Sequence, residues 1–213
     1  IFTKRRSKFL LLGLENNNTI LIHLGMTGKL FIFNQSSKKL LKTSFYYENK
    51  IDKKHNHLIF EFNRNMSLIY NDVRKFGFIK LYNQKKYEDI KHLINLGPEP
   101  LKKDFNFEYF KNYISRRKRT IKDILMDQKF VSGLGNIYVN EILFSSGIKP
   151  IRKVSKLKDQ EIKKIIKNTK KILLNAIRLG GSSIKNFSSD DGKQGLFQQH
   201  FKVYARKGEK CSN

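Results

Sequence analysis

Acidic residues are scarce in this sequence: 18 Asp and Glu stand against 44 Lys and Arg, a formal charge of +26 and a pI near 10.1. A folded chain carries such self-repulsion best against a polyanion, so nucleic acid is the first partner to consider and an anionic membrane surface the second. An AT-rich genome would explain Lys over Arg and the abundant Asn and Ile, but not the shortage of acids. Cysteine is scarcer still. Cys211 is alone, which excludes an internal disulfide framework and fits a reducing, cytoplasmic compartment. No apolar run is long enough to cross a membrane as a helix, so no membrane association is expected. Also missing are a Walker loop, a dinucleotide fingerprint and a Ser-His-Asp grouping. The sequence opens at Ile1 without Met and stops two residues past Cys211, which predicts an interior piece of a longer protein.

The 213 residues, 39% hydrophobic, suffice for one large or two small cores. The first half reads as β-rich. Short apolar runs at residues 9–14, 19–24, 29–33, 57–62, 67–70 and 76–82 are separated by turn signals at 16–18, at Gly25 and at 63–65. This predicts an antiparallel sandwich or barrel. Residues 34–56 are polar and Lys-rich and read as a loop. Gly97-Pro98-Glu99-Pro100 breaks the pattern and is expected to mark a domain boundary. The second half reads as helical. Phe107, Phe110 and Ile114 share one face, and Ile162, Ile165, Ile166, Ile172, Leu173, Ala176 and Ile177 form a stripe. Lys163, Lys164, Lys167, Lys170 and Lys171 lie opposite and read as a solvated face. Gly180-Gly181 ends that helix, residues 182–192 form a polar loop, and 197–204 read as a strand.

The most informative stretch is 126–142, Met-Asp-Gln-Lys-Phe-Val-Ser-Gly-Leu-Gly-Asn-Ile-Tyr-Val-Asn-Glu-Ile. A helical run enters it, Gly133 and Gly135 break it, and a new helix is expected to start at Asn136. Outward-pointing N–H groups and a positive dipole end make a helix start suited to phosphate. A plain helix–turn–helix corner reads equally well. Other stretches carry similar pairs of readings. Lys4-Arg-Arg-Ser-Lys8 before a strand could grip phosphates or be a charged strand end. Met26, between Gly25 and Gly28 in His23-Leu-Gly-Met-Thr-Gly28, could wedge into a base stack or be a buried hairpin methionine. Arg74 and Phe76 interleave charge and aromatic surface on a turn. His55 and His57 are taken to share one strand face with no third ligand nearby, which favours phosphate contact or plain surface over metal. Arg116-Arg-Lys-Arg119 with Lys122 would funnel a phosphate backbone toward Asn136.

Together these stretches resemble the formamidopyrimidine-DNA glycosylases, bacterial enzymes that excise oxidised purines. Seven matches run in order: residues 5–8, 23–28, 72–77, 96–101 (Leu-Gly-Pro-Glu-Pro-Leu), 126–141, 180–183 (Gly-Gly-Ser-Ser) and 204–211 (Tyr-Ala-Arg-Lys-Gly-Glu-Lys-Cys). The resemblance implies an α+β protein. It would have an antiparallel β-sandwich domain over residues 1–97, a helical helix–two-turns–helix domain over 98–203, and the start of a zinc finger over 204–213. It also implies roles. Lys8 is similar to the lysine that assists β-elimination, and Met26, Arg74 and Phe76 to the triad that fills the gap left by a flipped base. Lys122 and Asn136 resemble ligands of the phosphates flanking the lesion, with His55 and Lys118 as further DNA contacts. Ser182, Ser183 and Lys185 fall in the loop that closes over the everted base. Cys211 is similar to the first of four cysteines around one structural zinc ion. The implied partner is double-stranded DNA carrying oxidised bases or abasic sites, bound by a monomer.

The sequence departs from the family pattern in several places. The amino-terminal proline nucleophile and the glutamate after it are not among these residues, nor is the rest of the zinc finger with its elimination-assisting arginine. These 213 residues by themselves are expected to bind damaged DNA and to excise little or nothing. Val73 stands where the family usually has Pro, and Lys75 where it has Arg. Two other readings compete: the sibling glycosylase of oxidised pyrimidines, and a non-catalytic DNA- or RNA-binding module. The Arg74/Phe76 turn and the Gly97-Pro98-Glu99-Pro100 stretch favour the purine enzyme.

Overall fold

Alternating apolar residues split by left-handed Asn turns build the first half. The computed structural model describes residues 2–41, 51–83, 86–182 and 195–210. The chain divides into two units, Ile1–Lys86 with Ser182–Leu196, and Tyr87–Gly181 with Phe197–Asn213.

The first unit holds two four-stranded antiparallel sheets. One runs β1 (Phe2–Arg6), β2 (Phe9–Gly13), β3 (Asn18–His23) and β8 (Phe78–Asn83), in that spatial order. The other runs β5 (Lys39–Leu41), β4 (Gly28–Asn34), β7 (Met66–Asp72) and β6 (Asn56–Phe62). Leu11, Leu21 and Ile22 of the first sheet and Phe31, Ile69 and Tyr70 of the second are buried. The expected turns at 16–17 and 64–65 are present, with Asn16, Asn17, Arg64 and Asn65 all at positive φ.

The strand order places the site. The chain leaves the first sheet after β3, builds the second, and returns as β8 to pair with β3. Of the two crossings, residues 24–27 lead into β4 and residues 73–77 lead out of β7. Because β4 pairs with β7 with Gly28 opposite Asp72, and β3 pairs with β8 with His23 opposite Phe78, the crossings lie side by side. The β1–β2 turn joins them at the same sheet end, because Phe9 faces His23 in the next register row.

Several elements differ from expectation. β1 is an additional strand: Thr3, Lys4 and Arg5 are exposed on a sheet edge, where charged residues are tolerated and apolar alternation is not needed. Residues 34–56 are not wholly a loop, since Lys39–Leu41 pairs with β4 and Lys53–His55 forms a 3-10 turn capped by Asp52. His55 and His57 therefore do not share a strand face. β8 begins at Phe78 rather than Phe76, because the backbone N–H of Gly77 is held by Asp72.

In the second unit Asn106 caps α1 (Phe107–Ile114) and Thr120 caps α2 (Ile121–Met126). α3 (Asn136–Ser146) and α4 (Asp159–Arg178) follow. Phe105, Phe110 and Phe130 pack edge to face and tilted at the centre, among Ile124, Leu125, Val139, Ile142, Ile162 and Ile165, all buried. The α4 stripe is shorter than expected, because Ile177 is exposed. Residues 197–204 are not a strand. Phe197–His200 is a 3-10 turn, and the buried carboxylate of Glu141 accepts the N–H groups of Lys202, Val203 and Tyr204 at 2.9, 3.0 and 2.9 Å, so those groups cannot feed a ladder.

Gly97 has no room for a side chain: a Cβ there would lie 2.4 Å from the carbonyl oxygen of Phe130. Its N–H donates to Gln128 O, and Pro98 O accepts from the backbone N–H and the hydroxyl of Ser132. The Gly97-Pro98 segment thus packs under the turns before α3. No helix among the described residues is long and apolar enough to cross a membrane.

Candidate nucleic-acid interface

Met26, Arg74 and Phe76 come together. Met26 and Phe76 are exposed, at 51% and 56% of their surface, so the buried-methionine reading does not hold. The Arg74 guanidinium lies 4.5 Å from the Phe76 ring centroid, and its Nη1 lies 3.5 Å from Met26 Sδ. The two turns touch through backbone. Gly25 has φ +61, and a Cβ there would meet the nitrogen of Gly77 at 2.6 Å. An apolar tip, a ring and a cation standing clear of one sheet end can enter a base stack and also meet phosphate or a base edge.

Beneath them lies Asp72, fully buried. Its Oδ1 accepts from the Thr27 hydroxyl at 2.5 Å and from the Arg74 N–H at 3.3 Å. Its Oδ2 accepts from the Gly77 N–H at 2.8 Å and from the Tyr70 hydroxyl at 3.0 Å. Burial pushes the Asp72 carboxyl up, but the donors outweigh it and hold its pKa below 3.8. Burial, with the Asp72 charge beside it, pushes the Tyr70 phenol well above its usual range, so it remains a donor. Thr27 and Asp72 fall within the matched stretches 23–28 and 72–77, but the sequence gives neither a role, because Thr27 reaches Asp72 from 45 positions away.

Two more expected contacts lie in the same unit. His55 shares a cavity of about 440 Å³ with Arg74, Lys29 and Asn71, and its Nε2 lies 3.8 Å from Asp52. Lys8 sits on the β1–β2 turn after Ser7, which takes φ 55. Desolvation lowers the Lys8 ammonium below its ordinary 10.5. A row of rings, Phe9 to His23 at 5.1 Å and His23 to Phe78 at 5.6 Å, fixes the end of the sheet that carries Lys8 and Phe76.

In the helical unit, Asn136 is the first residue of α3 and is exposed; Gly135 before it supplies no side-chain cap. Gln128 shapes the approach. Its Oε1 accepts the Gly133 N–H at 2.8 Å and its Nε2 donates to Leu134 O at 2.9 Å. Lys122 lies in the first turn of α2, half-buried, and Lys118 is exposed just before it. Arg119 is exposed but engaged, paired with Asp127 at 2.7 Å and bonded to Asp123 O, so its charge is partly neutralised within the basic run. Arg117 covers the Tyr113 ring at 4.1 Å. Ser182 bridges to Leu196. Ser183, Lys185 and Cys211 lie outside the described residues. Among the described residues no group of three His, Cys, Asp or Glu could hold a metal ion.

Two antiparallel sheets followed by a helical unit are the architecture of a class of DNA glycosylases. Residues 2–79 match the formamidopyrimidine-DNA glycosylase N-terminal domain and residues 96–188 its H2TH domain. The formamidopyrimidine-DNA glycosylase of Roseobacter denitrificans is 37% identical over 208 residues, covering 98% of this chain and 72% of the relative. That of Listeria monocytogenes is 39% identical over 208 residues, covering 98% and 71%. The Lactococcus lactis Fpg in complex with DNA containing an abasic site superposes with TM-score 0.81 at 32% identity, over 99% of this chain and 72% of that one. The Thermus thermophilus protein gives 0.80 at 31% identity, over 99% and 73%. The chain belongs to the formamidopyrimidine-DNA glycosylase family.

Proposed function

We propose that the protein is a bifunctional DNA glycosylase and AP lyase that removes oxidised purines, 8-oxoguanine and formamidopyrimidines, from double-stranded DNA. The observation that carries this is the exposed cluster of Met26, Arg74 and Phe76 on two crossings that share a sheet end with Lys8. The cationic surface tracks the phosphate backbone and releases counterions. The damaged nucleotide swings out of the stack, and Met26, Phe76 and Arg74 fill the vacated space. Lys122 and the start of α3 at Asn136 hold the phosphates flanking the lesion, with His55 and Lys118 as further contacts. Ser182, Ser183 and Lys185 belong to the segment that covers the everted base.

Chemistry follows at the sugar. In the full-length protein the amine of an amino-terminal proline, which is not among these 213 residues, attacks the anomeric carbon, the glycosidic bond breaks with its electrons leaving on the base, and the sugar opens to a Schiff base. Loss of a proton beside the imine then expels the 3′ phosphate and cuts the strand. Lys8, its amine made easier to deprotonate by desolvation, assists this elimination. Cys211 would be the first of four cysteine ligands to a zinc ion, which would supply structure by holding a finger together. The protein acts as a monomer in the bacterial cytoplasm.

The test is borohydride trapping with the full-length protein on a duplex holding one 8-oxoguanine. A covalent protein–DNA adduct is expected. Absence of an adduct contradicts the lyase assignment.

A further inference from the structure

The wedge residues are carried by two crossings that are 45 or more positions apart in sequence, and one buried pair of side chains ties those crossings together. Thr27 follows Met26 directly and is buried. Its hydroxyl donates to Asp72 Oδ1 at 2.5 Å and accepts the Arg74 N–H at 3.1 Å. Both hydrogen-bonding capacities of that hydroxyl thus point across from the Met26 crossing to the Arg74 crossing. Asp72 closes the loop by holding Arg74 N–H and Gly77 N–H, the residues on either side of Lys75-Phe76.

We infer that Thr27 and Asp72 are positioning residues that join the Met26 turn to the Arg74/Phe76 turn, so that the three wedge side chains enter damaged DNA as one preorganised body. This rests on the functional reading above. The physical case is geometric. Arg74 and Phe76 lie on an irregular segment, and Lys75 between them takes φ 57, a conformation uncommon for a residue with a side chain. No ladder hydrogen bond holds residues 73–77, because β7 ends at Asp72 and β8 begins at Phe78. The carboxylate replaces the missing ladder, and the Tyr70 hydroxyl at 3.0 Å fixes its orientation. Charge-assisted bonds to a buried carboxylate are stronger than neutral ones, and wedging side chains ordered in advance lose less entropy on insertion. The position of Asp72 in the strand order explains why it serves both turns: it is the last residue of β7 and faces Gly28, the first of β4.

The test compares wild type, Thr27→Val, Thr27→Ser and Asp72→Asn in the full-length protein. Affinities are read by fluorescence anisotropy for a duplex with one tetrahydrofuran abasic-site analogue and for the undamaged duplex. Thr27→Val keeps the shape and removes both hydrogen bonds, and Thr27→Ser keeps them. Thr27→Val and Asp72→Asn should each lower lesion discrimination by about tenfold, the equivalent of one buried charge-assisted hydrogen bond. Undamaged affinity should stay within about twofold, since phosphate contacts supply it. Thr27→Ser should retain wild-type discrimination. Adding Thr27→Val to Met26→Ala should lower discrimination by less than the product of the two effects, because both act through one wedge.

The inference is overturned by full discrimination in folded Thr27→Val and Asp72→Asn, by Thr27→Ser behaving like Thr27→Val, or by effects that multiply. Thr27→Val leaves Asp72 the Tyr70, Arg74 and Gly77 donors, so its failure to fold would show the pair to be structural only and would also overturn it. If wild type itself does not discriminate, the functional reading fails. If wild type discriminates and the variants do too, only the inference fails.

Discussion

The Arg74 guanidinium reaches to 3.5 Å from the sulfur of Met26, a residue 48 positions earlier in the chain. Their meeting follows from strand order: β4 pairs with β7, β3 pairs with β8, and the two connections between the sheets must run together. Exposed side chains held against each other in this way can act on DNA as one surface.

Met26→Ala should weaken lesion processing by the full-length protein about tenfold or more while leaving undamaged-DNA affinity nearly intact, since it removes a wedge and no charge. Single-turnover cleavage and equilibrium binding, measured side by side, check this. Equal loss in both would place Met26 in general binding instead.

Gly25→Ala should act on the same surface from the backbone. The added Cβ would lie 2.6 Å from the nitrogen of Gly77 at φ +61, so the two crossings must move apart. A stability loss of about 1–3 kcal/mol is expected, with reduced lesion discrimination. Denaturant unfolding and the anisotropy assay above would register both, and a neutral effect would show that the turns do not need their contact.

Asp72 carries a pH dependence that can be isolated by substitution. Its folded-state pKa is held below 3.8, so its stabilising contribution is complete above that value and is lost as pH falls through the lower folded value. The difference in thermal midpoint between wild type and Asp72→Asn should be constant through neutral pH and shrink only in acid. A difference that changes near neutrality would contradict the assignment.

Lys122 and Asn136 should separate by salt. Removing a lysine that contacts phosphate lowers the slope of log affinity against log salt by about 1. Asn136→Ala removes a neutral group and should weaken binding about fivefold with the slope unchanged. Lys122→Ala with an unaltered slope would remove Lys122 from the phosphate contacts.

Met26, Arg74 and Phe76 were legible as candidates because an apolar side chain on a polar turn has no local reason to be there, and the fold brings the three together. The sequence revealed α1, α2 and α4 through apolar spacing, and α3 through the glycines that break the chain before Asn136. It concealed β1, whose exposed Thr3-Lys4-Arg5 needs no apolar face on an edge, and β5, held by pairing to β4 rather than by its own residues. Glu141 reads as one more residue on a helix. Its burial and its three N–H donors come from residues 61 to 63 positions later. Asp72 was hidden for the same reason, since only the folded strand order brings Thr27 to it. Arg119 looked like part of a cationic run and has its charge partly neutralised by Asp127.

The most direct measurement is an experimental structure of the full-length protein with a duplex carrying a tetrahydrofuran abasic-site analogue. The prediction is Met26, Arg74 and Phe76 inside the stack where the flipped nucleotide stood, with Lys122 and Asn136 on the phosphates beside it. DNA bound with that cluster left in solvent, or with Lys122 and Asn136 away from the backbone, would contradict it.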